Sequence, residues 1–176
     1  MRPETNRYFR YVLHIVRGGL IAAIYVAVCL LLQPLSYGAV QIRVSEALTL
    51  LPILTPDAVF GVTLGCLLSN LLSFSPIDML FGTLATLIAA LATRRLAKVR
   101  LKGLPLASAL PPILINAVVV GAEITFFFTP EAASAGLLLF NMLTVGAGQV
   151  VSCLILGVPL VTFIEKNAAL KKIFTS

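Results

Sequence analysis

Long apolar runs, separated by short polar or basic segments, constrain the fold of this chain more than any other feature. Of its 176 residues, 59% are hydrophobic and only 11% are charged, and the mean hydropathy is +1.03. Soluble domains are about half apolar and a quarter charged. Because a spanning helix needs roughly 20 residues, the sequence predicts an all-α integral membrane bundle of six transmembrane helices.

The basic residues indicate which side of the membrane each loop faces. All thirteen Lys and Arg residues except Arg43 lie in three segments, residues 2–17, 94–102 and 166–172. Basic clusters beside spans are typical of cytoplasmic loops. We therefore expect both termini in the cytoplasm and no nucleic-acid partner, although the net charge is +6.

The same pattern divides the chain into three parts. We predict a basic interfacial segment at 1–17, a single six-helix transmembrane domain at 18–164 and a basic cytoplasmic tail at 165–176. The predicted spans cover about 18–32, 44–55, 58–73 and 77–93, a fifth span that starts after Pro111-Pro112, and 135–164. The second span is short and contains Pro52, which favours a segment that lines a protein-enclosed cavity.

Ionisable and amide side chains inside these apolar runs mark the candidate site. A charge within a bilayer costs at least a few kcal/mol, so such residues need a functional or pairing role. Asn116 and Glu123 lie seven residues apart on one helix face, about 10 Å along the axis, and can hold the two ends of a small planar molecule. The candidate ligand contacts are Arg43, Glu46, Asn70, Asn116, Glu123 and Gln149.

Structural alternatives exist for most of these residues. Glu46 can pair with Arg43, and the amides can make hydrogen bonds between helices. We expect Gln41 and Arg43 to belong to an outer gate and Asp78 to cap a helix. Asp57 lies on a cytoplasmic turn outside the site.

Enzymatic chemistry has little support in the sequence. There is no Gly-rich phosphate loop with a lysine, a single histidine excludes an HExxH motif, and the three cysteines lie singly in apolar runs. We predict no catalytic residue, metal or cofactor. Carboxylates and carboxamides instead suit a purine-like edge with adjacent N–H donors, or a ligand ammonium group.

Three motifs give the chain a family resemblance. They are RVSEALTLLP at 43–52, GCLLSN at 65–70, and the pattern of Pro111-Pro112, Asn116, Gly121 and Glu123. Together they resemble the QueT family, which are substrate-binding S components of energy-coupling-factor (ECF) transporters. The resemblance implies a subunit in the prokaryotic plasma membrane that captures a queuosine precursor, a 7-deazaguanine, at the outer face.

The resemblance also implies partners. A transmembrane coupling subunit and two cytoplasmic ATPases would drive import, and Ala23 and Ala27 match the small-residue motif that meets the coupling subunit. Gly19, Ala23 and Ala27 recur every four residues, which lets helices approach closely. Two alternatives stay open: an S component for another vitamin or nucleobase, and a structural membrane subunit without transport function.

Overall fold

The computed structural model describes residues 3–32, 42–72 and 76–175. Within these ranges every regular element is a helix, which confirms the all-α prediction. One isolated β-bridge joins Leu101 and Leu104. The α-helices are α1 Pro3–Leu31, α2 Asp57–Leu72, α3 Pro76–Arg95, α4 Leu106–Glu123, α5 Ala135–Val150, α6 Val158–Lys166 and α7 Ala168–Thr175. A 3₁₀ helix spans Val44–Ile53, a 3₁₀ turn Pro130–Ala132, and π-helical segments Ile124–Phe128 and Val151–Gly157.

Four helical stretches are long and apolar enough to cross a membrane: Arg7–Leu31, Pro76–Arg95, Leu106–Phe128 and Ala135–Lys166. The chain is therefore a multi-pass membrane protein by length and composition. The 3₁₀ helix and α2 are apolar but shorter. At about 2.0 Å per residue the 3₁₀ helix is roughly 20 Å long, and at about 1.5 Å per residue α2 is roughly 24 Å, against a hydrocarbon core of about 30 Å.

Two helix boundaries differ from the prediction. Helix α1 is continuous through residue 17, where we expected an interfacial segment to end, and α4 starts at Leu106 with Pro111 and Pro112 inside it. Pro112 has no N–H to donate to Ser108 O one turn earlier. The Thr93 hydroxyl donates to that carbonyl at 3.0 Å instead, so α4 tolerates the proline.

Glycines bring α1 and α2 into close contact. A Cβ on Gly61 would lie 2.8 Å from Ile21 Cβ, and one on Gly65 would lie 2.6 Å from Tyr25 Cβ. Gly61 and Gly65 therefore form a close-packing face inside the bundle. The opposite face of α1, with Gly19, Ala23 and Ala27, is exposed.

One end of the bundle is held by ion pairs and charged hydrogen bonds. The Asp57 carboxylate at the start of α2 lies 2.8 Å from His14 Nδ1 and 3.5 Å from Arg17 Nη1. Both partners belong to α1, so α1 and α2 are joined here.

The basic linker after α3 is attached to the same end. Arg94 Nη1 donates to the carbonyls of Pro52 at 3.0 Å and Ile53 at 3.3 Å, where the 3₁₀ helix ends. Arg100 makes a two-bond contact with the Glu165 carboxylate, the shorter at 2.6 Å. We call this region the closed end; it consists of His14, Arg17, Asp57, Arg94, Arg100 and Glu165.

Candidate functional site

Four of the six predicted ligand contacts line one cavity near the start of the 3₁₀ helix. Its walls come from the 3₁₀ helix and from facing turns of α4 and α5. The space open to the centre of a water molecule is about 10 Å³, which is room for roughly one water. The lining residues are Arg43, Glu46, Asn116, Val120, Val145 and Gln149.

The Glu46 carboxylate is buried and bonded through both oxygens. Its side chain is 2% exposed. The Tyr25 hydroxyl donates to Oε1 at 2.6 Å, and Asn116 Nδ2 donates to Oε2 at 3.3 Å. Because donors from α1 and α4 meet on this one group, the carboxylate has a defined orientation toward the cavity.

Tyr25 is a site residue that the sequence analysis missed. It is 1% exposed and lies on α1, 21 residues before its partner Glu46. A buried tyrosine hydroxyl in an aliphatic helix normally requires a hydrogen-bond partner, and that is the signal that could have identified it. The partner itself was not readable from local spacing.

The two carboxamides bring both donors and acceptors to the cavity. Asn116 is 3% exposed and Gln149 is 4% exposed. Cys153 Sγ, one helical turn after Gln149, donates to Gln149 Oε1 at 3.5 Å and so fixes the Gln149 side chain. An amide can donate through its NH₂ group and accept through its oxygen, so the cavity wall can match either type of ligand edge.

Glu123 is buried beside the cavity and faces the carboxyl group of Asp78. It is 2% exposed, and no described amide, hydroxyl or guanidinium group donates a hydrogen bond to its carboxyl oxygens. Its side-chain contact is with Asp78, and the charge of Arg43 attracts it. Two carboxylates this close repel each other when both are ionised, so a nearby cation stabilises the pair. Glu123 therefore remains a candidate contact for a cationic ligand group.

Arg43 pairs with Asp78 rather than with Glu46. Its Nη2 atom lies 3.9 Å from Asp78 Oδ1, in the first turn of α3. From the sequence, Asp78 was predicted only to cap a helix, and its contact with Arg43 was not predicted. Gln41, the other predicted gate residue, lies outside the described residues.

Asn70 occupies the junction between α2 and α3. Its Nδ2 donates to the backbone oxygen of Asp78 at 2.8 Å and to Cys66 Sγ at 3.5 Å. The residue does not line the cavity, and its contact with a ligand stays a prediction. We call the region formed by the cavity and these neighbours the site end; it consists of Arg43, Glu46, Asn70, Asp78, Asn116, Glu123 and Gln149.

The side chains described here contain no cluster of three or more His, Cys, Asp or Glu residues that could hold a metal ion. Cys29, Cys66 and Cys153 are free thiols. The carboxyl, carboxamide and guanidinium groups of the site end can form hydrogen bonds and compensate charge.

Comparisons with known proteins agree with the motifs. The family profile described as QueT transporter matches residues 15–166. The "Queuosine precursor transporter QueT" of Lactococcus lactis subsp. cremoris (strain MG1363) is 40% identical over 76 residues, which cover 42% of this chain and 45% of that relative. The match thus spans less than half of the relative's length. No solved structure matches the chain.

Proposed function

The chain belongs to the QueT transporter family, and we propose that it is the substrate-binding S component of an ATP-driven ECF importer. Its cargo in this proposal is a queuosine precursor, a 7-deazaguanine such as pre-queuosine or queuine, taken up from outside a prokaryotic cell. The relative's printed name supports the substrate class. The observation that carries the proposal is one cavity lined by a carboxylate, two carboxamides and a guanidinium.

Hydrogen bonding supports a guanine-like ligand. A 7-deazaguanine presents adjacent N–H donors and a carbonyl acceptor along one edge. The Glu46 carboxylate can accept N–H groups beyond those of Tyr25 and Asn116, because an ionised carboxylate has about four acceptor positions. Asn116 and Gln149 supply the remaining donors and acceptors.

Charge supports a ligand that carries a cation. The site end holds the carboxylates of Glu46, Asp78 and Glu123 and the guanidinium of Arg43. An aminomethyl ammonium group beside Glu123 would relieve the repulsion between the Glu123 and Asp78 carboxylates. In this arrangement Glu46 accepts hydrogen bonds from the N–H groups of the base, and Glu123 faces the aminomethyl group.

The cavity must widen to admit such a ligand. Small-molecule pockets commonly measure about 300–1,000 Å³, whereas this cavity has room for about one water molecule. Arg43 precedes the 3₁₀ helix and its side chain is partly exposed. We assign Arg43 the role of a gate residue, whose guanidinium leaves the cavity as the ligand enters.

The six-span topology is also part of the proposal. The 3₁₀ helix and α2 would complete the crossings, because both are apolar and join the closed end to the site end. The closed end includes Arg94 and Arg100 of the basic linker and Arg17 of α1, so the positive-inside rule places it in the cytoplasm. The site end then faces outside, where cargo is captured.

Partner binding is assigned to α1. Its exposed Gly19, Ala23 and Ala27 form a face of small side chains, which permits close approach of another helix. We propose that the transmembrane coupling subunit docks on this face and that two cytoplasmic ATPases complete the importer. Lipid covers the rest of the outer surface.

Binding measurements on purified protein test the proposal. We expect wild-type protein in lipid nanodiscs to bind a queuosine precursor with a submillimolar Kd, as measured by calorimetry. Glu46→Gln removes the charged acceptor and should weaken binding about tenfold, or roughly 1.4 kcal/mol. Glu131→Gln, at an exposed loop acid, is the matched control and should bind like wild type.

Two results would contradict the proposal. One is folded wild-type protein that binds no queuosine precursor; a competition screen with vitamins and purines then identifies an S component for another cargo. The other is a loss of stability in Glu46→Gln without any effect on binding or uptake. That result would assign the polar residues to helix packing.

A further inference from the structure

Tyr25 connects the cavity to α1 through a short hydrogen bond. Its hydroxyl donates to Glu46 Oε1 at 2.6 Å, and both side chains are almost fully buried. Bonds between a hydroxyl and a carboxylate at this length are charge-assisted and about twice as strong as neutral ones. Helix α1 therefore holds one oxygen of the carboxylate that lines the cavity.

Gly65 fixes the position of the Tyr25 side chain. A Cβ at Gly65 would lie 2.6 Å from Tyr25 Cβ and 2.9 Å from its Cγ. The side chain thus rests directly on the backbone of α2, a contact that only glycine permits. Because little space is left around it, the hydroxyl is directed toward Glu46 before any ligand arrives.

The other face of α1 is exposed and bears the proposed partner contacts. Ala23 and Ala27 lie two residues to either side of Tyr25, and side chains two apart on a helix do not face each other. One short stretch of α1 thus presents a hydroxyl to the cavity and small side chains to the outside.

We propose that Tyr25 is a positioning residue. It orients the Glu46 carboxylate for the ligand, and it changes the contacts of α1 when a ligand occupies the cavity. This inference rests on the proposed function. A ligand N–H that binds Glu46 shares the carboxylate with the Tyr25 hydroxyl, so occupancy changes the bond that holds α1. The partner-facing surface and the ligand site are then coupled through a single side chain.

Tyr25→Phe tests the positioning role, since it keeps the ring and removes only the hydroxyl. Starting from wild-type protein that binds a queuosine precursor, we expect the variant to bind about tenfold more weakly. Tyr8→Phe, at a side chain that is 73% exposed, is the control and should leave the Kd unchanged. In a Glu46→Gln background the effect of Tyr25→Phe should fall below about twofold, because the acceptor has changed.

Backbone hydrogen exchange tests the link to α1. In wild-type protein, ligand should change the protection of amides in residues 21–29; in Tyr25→Phe, saturating ligand should leave these amides unaffected. A general loss of stability would alter exchange in both the free and the bound protein and would not abolish the ligand-dependent difference. That difference separates positioning from a purely structural role.

Clear outcomes would overturn the inference. Wild-type affinity in Tyr25→Phe, or an equal loss in the Glu46→Gln background, removes the positioning role while leaving the proposed function intact. Absence of ligand binding in wild-type protein instead removes the proposed function. Should Tyr25→Phe fail to fold, 3-fluorotyrosine at position 25 keeps the hydroxyl but makes it a stronger donor. A changed Kd then supports the role, and an unchanged Kd rejects it.

Discussion

The closed end and the site end of the bundle use charged residues in opposite ways. At the closed end, Asp57 meets His14 and Arg17, and Arg100 meets Glu165 in a two-bond contact. At the site end, the carboxyl groups of Glu46, Asp78 and Glu123 share one guanidinium, that of Arg43, and Glu123 faces Asp78. Opposite charges hold helices together, whereas like charges that face each other cost stability.

The contrast between the two ends indicates which buried polar residues of a membrane bundle belong to a binding site. Both ends contain buried polar groups, so polarity alone does not distinguish a binding site from a contact between helices. The charge of the partner does: Glu123 faces another carboxyl group, whereas Asp57 and Glu165 face Arg17 and Arg100. Variants that break a pair at one end or remove a charge at the other should therefore have opposite consequences.

Asp57→Asn should have the largest effect on stability. The substitution removes the charge that neutralises Arg17, and both side chains are only 9% exposed. We expect a loss of about 1.5–3 kcal/mol, the range for hydrogen bonds to charged groups, in equilibrium unfolding in mixed micelles. Ligand affinity should stay within about twofold of wild type. A tenfold weaker Kd would show that the two ends are not independent.

Arg100→Gln should have the smallest effect. The Arg100 and Glu165 side chains are 29% and 28% exposed, and solvent-accessible ion pairs contribute about 0.2–1 kcal/mol. A double-mutant cycle with Glu165→Gln measures the pair, and raising the salt concentration should reduce its coupling energy. A coupling above about 2 kcal/mol would mean that this linker contributes far more to the fold than its exposure implies.

Local sequence patterns predicted much of the fold. Residues 58–73 and 77–93 were predicted as spans, and α2 and α3 cover Asp57–Leu72 and Pro76–Arg95. Apolar runs bounded by Pro, Asp and basic residues suffice for this, since such signals act within one turn. The rule that intramembrane polar residues need a partner likewise selected Glu46, Asn116 and Gln149, which share one cavity.

Long-range contacts account for what the sequence did not predict. Two contacts accompany the 3₁₀ form of Val44–Ile53. Arg94 donates to its last carbonyls, and Gly157 packs so closely that a Cβ there would lie 3.0 Å from Ala47 O. Both contacts come from residues more than 40 positions away along the chain. The bond between Tyr25 and Glu46 and the pairing of Arg43 with Asp78 are tertiary in the same way.

The most direct test of the account measures stability and binding together in Glu123→Gln. We predict that the free energy of unfolding rises by about 1 kcal/mol, because a glutamine amide can donate a hydrogen bond to the Asp78 carboxylate that it faces and does not repel it. We also predict that the Kd for an aminomethyl 7-deazaguanine increases about tenfold, with Glu131→Gln unchanged in both quantities. A Glu123→Gln variant that is less stable yet binds with wild-type affinity would contradict the account.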